Sequence, residues 1–253
     1  MRVIKLFCAA VIAATALCGA PASAQKAVRY TKPWACNGAG RVAATGSAQE
    51  LAASLAKAPT RANWKIFLCN FRQDARTAKR FTLRQDFALA ILSPLVDPVD
   101  GPGDVAEAAD KALYSAYVAR TLDNAQRAGF KLTPAQIQAR DETAKTGRDD
   151  LASLPGIEER ARERRDPRQL LIAAEMYFAA GNWAKSADLY TAALAAGLNG
   201  PDVPMAQTFL AILMYQQGDK AGAVKRFRGV DKTSTWGEVA QFWLTFLNVG
   251  IRG

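Results

Sequence analysis

The 253-residue chain contains no histidine. That absence excludes a Ser-His-Asp triad, a Cys-His dyad and every zinc site built on imidazole. Cysteine is scarce: Cys8, Cys18, Cys36 and Cys69 are the whole set. None of them forms a Cys-x-x-Cys pair, so neither a thioredoxin-like redox site nor a haem attachment motif is present. Stretches in which β-branched residues alternate with polar ones, as a half-buried strand requires, are also rare. Acid–base chemistry by carboxylates or lysine is compatible with the composition, but no constellation of such residues stands out. No catalytic residue, metal site or cofactor is therefore expected, and the chain reads as a non-enzyme.

What is present begins with a leader. Met1 is followed by Arg2 and Lys5, then by an uncharged apolar run over 6–20. Ala22-Ser23-Ala24 supplies small residues at the positions read by a signal peptidase, so cleavage before Gln25 is expected. The apolar run falls short of the roughly 20 residues of a comfortable membrane span. Leu17, before Cys18, is too large for a lipobox. The expectation is a signal peptide over 1–24 and a soluble, exported, periplasmic protein. Loss of Arg2 and Lys5 lowers the formal charge from +10 to +8. Cys36 and Cys69 remain, and two cysteines in an exported chain most simply form one disulfide.

Hydrophobic periodicity gives helix almost everywhere in the mature chain, which places the fold class as all-α. Three regions follow the leader: 25–103, helical and tied down by the Cys36–Cys69 bridge; 104–166, helical and connecting; and 167–253. Ser47 and Glu50 form a capping box for a helix over 47–58. Thr60 caps a longer helix over 60–79. On it Trp64, Phe67, Leu68, Phe71, Ala75 and Ala78 share a sector of about 100°. Arg61, Lys65, Arg72, Arg76 and Lys79 form a neighbouring basic stripe. Two readings of that stripe stand side by side: a solvated face, or a contact surface for an anionic membrane or an acidic protein. Nucleic acid is not an expected partner of an exported protein, and the aromatic residues here lie off the stripe.

A segment over 83–92 leads to "SPLVDPVDGPGD", whose prolines and glycines read as a linker. A single helix is expected over 104–128. Thr133-Pro134 with Gln136 marks another helix start, and Pro155-Gly156 is expected to break the chain again. In "IEERARERRDPR", Glu158 to Arg162 and Arg162 to Asp166 are i, i+4 pairs on a solvated face.

The most informative stretch is "LLIAAEMYFAAGNWAKSADLYTAALAAG". Two helices meet at Gly181-Asn182, and Ala173, Ala174 and Ser186 are small enough for close approach. A second copy, "LAILMYQQGDKAGAVKRFRGV", aligns on 173–193 without gaps at an offset of 37 residues. Gly218 falls on Gly181, Ala223 on Ser186, Phe227 on Tyr190 and Val230 on Ala193. Lys220 stands where Trp183 does, and Met214 where Tyr177 does. These hairpins resemble the tetratricopeptide repeat family. A terminal helix over 236–249, with Val239, Phe242, Trp243 and Phe246, is suited to cap the second hairpin.

The resemblance implies stacked helical hairpins with a less regular helical N-terminal half. It also implies a concave face lined by the first helix of each hairpin. That face would present Arg168, Leu171, Glu175 and Phe178, then Met205, Thr208, Ile212 and Tyr215. Such a mixed surface suits a peptide or a partner helix, unless the N-terminal half packs on it. The implied function is a non-catalytic periplasmic scaffold that binds a protein or peptide of the cell envelope. The alternative is a membrane-surface or cell-wall-associated protein that docks through the basic helix over 61–80.

Overall fold

The computed structural model of the chain describes residue 55 and residues 57–252, and among them every regular element is helical. The leader over 1–24, Cys36, and the Ser47–Glu50 capping box lie outside the described residues. In chain order the helices are α1 (Arg61–Thr77), α2 (Leu83–Ala90), α3 (Ser93–Val96), α4 (Gly101–Lys111), α5 (Ser115–Arg127) and α6 (Pro134–Arg164). They continue with α7 (Pro167–Ala180), α8 (Trp183–Ala195), α9 (Asp202–Gln216), α10 (Lys220–Arg228) and α11 (Thr235–Val249).

Local chemistry sets the helix starts. Thr60 accepts from the Asn63 amide, and Thr133 and Gln136 form the reciprocal capping box that precedes Pro134. Asn182, Asp219 and Ser234 cap α8, α10 and α11 in the same way. Each satisfies a backbone N–H that the helix itself leaves without a partner. At the end of α7, Gly181 takes φ +82°, a conformation that favours glycine. Trp183 follows the turn and packs edge-on against Phe178, with ring centroids 5.5 Å apart. Helices α7 with α8 and α9 with α10 thus form neighbouring packed pairs, and α11 covers α10.

Four expectations about element boundaries are corrected. Helix α1 ends at Thr77, so Ala78 is an exposed C-cap and no part of the apolar face. The span 93–104 is a packed corner and no linker, because Pro94 and Pro102 occupy first-turn positions where a missing N–H costs nothing. A side chain at Gly101 would place its Cβ 2.3 Å from the Ser93 carbonyl oxygen, so only glycine fits there. The helix expected over 104–128 is two helices, broken at 112–114 where Leu113 adopts φ +66°. No glycine or proline announces that break, and its cause is tertiary: the turn buries the Tyr114 ring 4.9 Å from Phe87. Finally, Pro155 does not break the chain, and α6 runs through it. A mid-helix proline costs about 3 kcal/mol. Here Leu154 and Ala161 are anchored in the core on either side, and Pro155 itself faces solvent.

The described residues share one apolar core with α2 at its centre. Residues 85–93 are all buried. Phe87 meets Tyr117 from α5, Phe178 from α7 and Phe209 from α9, with centroids 4.8, 6.2 and 6.3 Å away. From the other side, Trp243 of α11 donates its indole N–H to the Ala88 carbonyl at 3.0 Å. The two ends of the described chain meet as well. Trp64 of α1 packs on Phe242 and Phe246 and donates to the Gly250 carbonyl at 2.7 Å.

Candidate functional site

The expected concave face is occupied from within. Leu171, Glu175, Phe178, Met205, Thr208 and Ile212 are all buried by the chain's own helices. Arg168 is exposed, and half-buried Tyr215 lies edge-on to Trp243 at 5.5 Å. The i, i+3, i+7 spacing identifies a shared stripe correctly, but α2 packs where a ligand would lie. Glu175 shows how completely: it accepts from the Tyr114 hydroxyl at 2.6 Å and from Arg84 Nε at 3.0 Å. Burial pushes its carboxyl above the ordinary range, outweighing the pull of Arg84 and the Tyr114 hydrogen bond. As a partner-binding groove this set is corrected to core, with Arg168 exposed and Tyr215 half-buried at the edge.

Of the basic stripe only Arg72 is corrected to core; Arg61, Arg76 and Lys79 are exposed and Lys65 is half-buried. Arg72 is buried, with Nε and Nη2 donating to Asp86 at 2.9 and 3.1 Å. Its Nη1 bonds to Asp104 and reaches Ser93 Oγ at 3.4 Å. Arg76 lies across the same Asp86 carboxylate through two bonds of 3.0 Å. Lys65 pairs with Asp97, and Arg61 donates to the Leu95 carbonyl at 3.1 Å. Lys79 lies just past the helix end. A helical wheel groups Arg72 with the other cations by angle, and it cannot show that the partners of Arg72 come from α2 and α4. Cys69 is buried on α1. Arg162 pairs with Glu158 as expected, but its second partner is Asp188 of α8, because Asp166 is turned inward to cap α7.

A different cluster of cations does border an open space. Between α5 and α6 lies a groove of about 470 Å³. It exists because the residues facing each other across the two helices are small. A Cβ on Gly147 would stand 2.9 Å from the Ala116 Cα, so the helices nearly touch there. Ala119 and Ala144 leave the adjoining space unfilled. Arg120, Arg127, Arg140 and Arg148 line it, with Asp123 as the opposing carboxylate.

Arg120 is held most tightly. Its guanidinium lies 4.7 Å from the Tyr117 ring and 4.6 Å from the Trp183 ring, so it is stacked on aromatic faces from two helices. Its Nε and Nη2 are buried without a hydrogen-bond partner. Burial pushes its pKa down, against the opposing influence of Tyr117. A guanidinium with unsatisfied donors is costly to bury, and a nearby negative charge would lower that cost. Arg127 and Arg140 are tethered to Asp123 and Asp141, while Arg148 stands exposed at the rim.

None of these four arginines was expected from the sequence. A signal was available: Arg140, Ala144, Gly147, Arg148 and Leu151 share one face of α6, and Arg120 and Arg127 are two turns apart on α5. The arginines alternate with acidic residues along the chain, which hides the cluster from any count of local charge.

Among the described residues no group of three or more cysteine, aspartate or glutamate side chains could hold a metal ion. No described helix is long and apolar enough to cross a membrane. The fold and the groove thus define an all-helical protein with a cationic cleft between two of its helices. Comparison with known proteins finds no matching family model, no matching curated protein and no matching solved structure.

Proposed function

We propose that this chain is a non-catalytic helical scaffold of the cell envelope, exported by its leader over 1–24, that holds a protein partner through the α5–α6 groove. One observation carries the reading: four arginines border a groove of about 470 Å³ in which Asp123 is the opposing acid. Four arginines against one lining aspartate leave the cleft net positive, which favours an anionic partner. The tetratricopeptide-like hairpins over 167–249 then serve as the frame. The concave face they would offer in such an array is taken up by α2. The expected Cys36–Cys69 bridge belongs to the same reading, as a staple. Docking of the basic helix over 61–80 on a membrane has less support, because Arg61, Lys65, Arg72 and Arg76 are already engaged within the chain.

The test is affinity capture from an envelope fraction, comparing wild type with the Arg140→Glu/Arg148→Glu double variant. A shared circular dichroism spectrum confirms that both are folded. The expected result is one or more partners retained by wild type and lost with the variant, with capture weakening as salt is raised. Equal capture by both proteins would remove the groove from the function.

A further inference from the structure

Helix α10 closes the second hairpin with one side and turns the other to solvent. At 100° per residue, buried Ala223 and Phe227 point inward and Lys225 stands opposite them. Exposed Arg228 and half-buried Arg226 flank Lys225, and Ala221 and Gly229 on the same side are small and exposed. Lys220 opens the helix and Lys232 follows its end, both exposed.

Between 217 and 234 five cations therefore accompany only two carboxylates, and both carboxylates are engaged in local turns. Asp219 accepts from the Gly222 amide at 2.8 Å as the helix cap, and Asp231 accepts from the Thr233 amide at 2.9 Å. No ion pair among the described residues includes Lys220, Lys225, Arg226, Arg228 or Lys232. The cations of α1 differ, since Lys65, Arg72 and Arg76 have acidic partners within the chain. The negative pole of a helix explains part of this arrangement. That pole amounts to about half a charge, which Lys225, Arg226 and Arg228 in one turn far exceed. Lys225 and Arg228, three positions apart, repel each other at some cost to the helix, and a surface of opposite sign would relieve that repulsion.

The shape of the patch narrows the partner. A convex helix side with small residues between its charges gives an acidic segment no walls to settle between. A plane of negative charge needs none, because flexible lysine and arginine side chains can meet it together. The nine residues of α10 span only roughly 13 Å, so the five charges act on such a plane as one group.

We infer that the outer side of α10 docks the protein on an anionic phospholipid surface. Lys220, Lys225, Arg226, Arg228 and Lys232 face the headgroups, and the helix stays outside the hydrocarbon. The inference goes beyond the scaffold reading and takes from it only export, which sets the chain beside membranes and away from nucleic acid. None of the residues lining the α5–α6 groove comes from α10, so the two surfaces are separate.

The test is co-sedimentation of the chain from Gln25 onward, so that the apolar run over 6–20 cannot carry it. One set of vesicles is phosphatidylcholine, and the other holds equal parts of phosphatidylcholine and phosphatidylglycerol. Wild type is expected to sediment with the anionic vesicles alone, and less as salt is raised. Lys225→Gln/Arg228→Gln should weaken that binding about 25-fold, about fivefold for each cation removed. Lys220→Gln/Lys232→Gln, at the two ends of the helix, should weaken it by a similar factor. Arg140→Gln/Arg148→Gln lowers the net charge equally at the groove and is expected to keep wild-type binding. At physiological salt wild type is expected to bind neither labelled polyglutamate nor labelled duplex DNA. Circular dichroism and thermal melting confirm that each variant is folded.

Sedimentation of both α10 variants at the wild-type level overturns the inference, as does failure of wild type to sediment with anionic vesicles. An equal loss with the groove variant also overturns it, because net charge and not α10 would then be responsible. Binding of polyglutamate or DNA through the α10 cations at physiological salt overturns the choice of lipid. Failure on vesicles leaves partner capture by the groove as it was, since neither α10 variant alters a residue that lines it.

Discussion

Arg72 holds the buried carboxylates of Asp86 and Asp104, and Arg76 closes over Asp86 from the rim. Such a cluster is worth little relative to an apolar core of the same shape, but breaking it is expensive because the remaining charges stay buried. Arg72→Met is therefore expected to cost about 3–5 kcal/mol in urea unfolding. The pH dependence follows from Asp86. Burial pushes its carboxyl up, but Arg72 and Arg76 outweigh that and hold it below the ordinary range. A group with a depressed folded-state pKa stabilises the fold fully above its unfolded value, near 3.9 for aspartate. That contribution disappears as pH falls through the lower folded value. Wild type should therefore lose stability on acidification below about pH 4, and Asp86→Asn should show a shallower loss. Equal slopes in chemical denaturation across that range would contradict the assignment. None of this was visible on a helical wheel, which groups Arg72 with its exposed neighbours by angle alone.

At the scale of elements, the starts and turns were legible because short-range chemistry fixes them. Thr60, the Thr133–Gln136 box and the glycine turn at Gly181 each satisfy local backbone groups. The interruptions were misread in both directions. Pro155-Gly156 carries every local sign of a break, yet packing carries α6 through. Residues 112–114 carry none, yet the chain turns there so that Tyr114 can reach Phe87 and Glu175. The turn leaves Leu113 in the left-handed region with its side chain 77% exposed. An ordinary residue held there costs about 1–2 kcal/mol, and little burial is lost if the side chain is removed. Leu113→Gly is therefore expected to stabilise the protein by roughly 0.5–1 kcal/mol, once glycine's extra unfolded-state freedom is subtracted. A fall in melting temperature for Leu113→Gly would show that the leucine side chain contributes more than its strained backbone costs.

For the molecule as a whole, the class and the packed helix pairs were legible, and the role of the concave face was not. Periodicity finds the stripe formed by Leu171, Glu175, Phe178 and Ile212, but says nothing of what covers it. Part of the cover is α2, through Arg84 on Glu175 and Phe87 on Phe178, and its eight residues are short enough to pass as a connecting segment. Because Phe87 completes the packing around Phe178 and Phe209, a fragment spanning 167–252 should be left with an open apolar face. It is expected to melt without cooperativity or to aggregate, as judged by circular dichroism and light scattering. A soluble fragment with a sharp thermal transition would show that α2 is dispensable to the hairpins.

The clasp between Trp64 and the Gly250 carbonyl joins residues 186 positions apart. An open stack of hairpins can nucleate anywhere, grow at either end, and be lengthened or trimmed one unit at a time. A stack in which the end of α11 grips α1 has less of that freedom. Helix α2 has no complete surroundings until α11 has been made, and the entropy of closing a loop of 186 positions must be met before the clasp forms. Order in time is therefore written into the topology: α1 and α2 wait for α11 before their packing is complete.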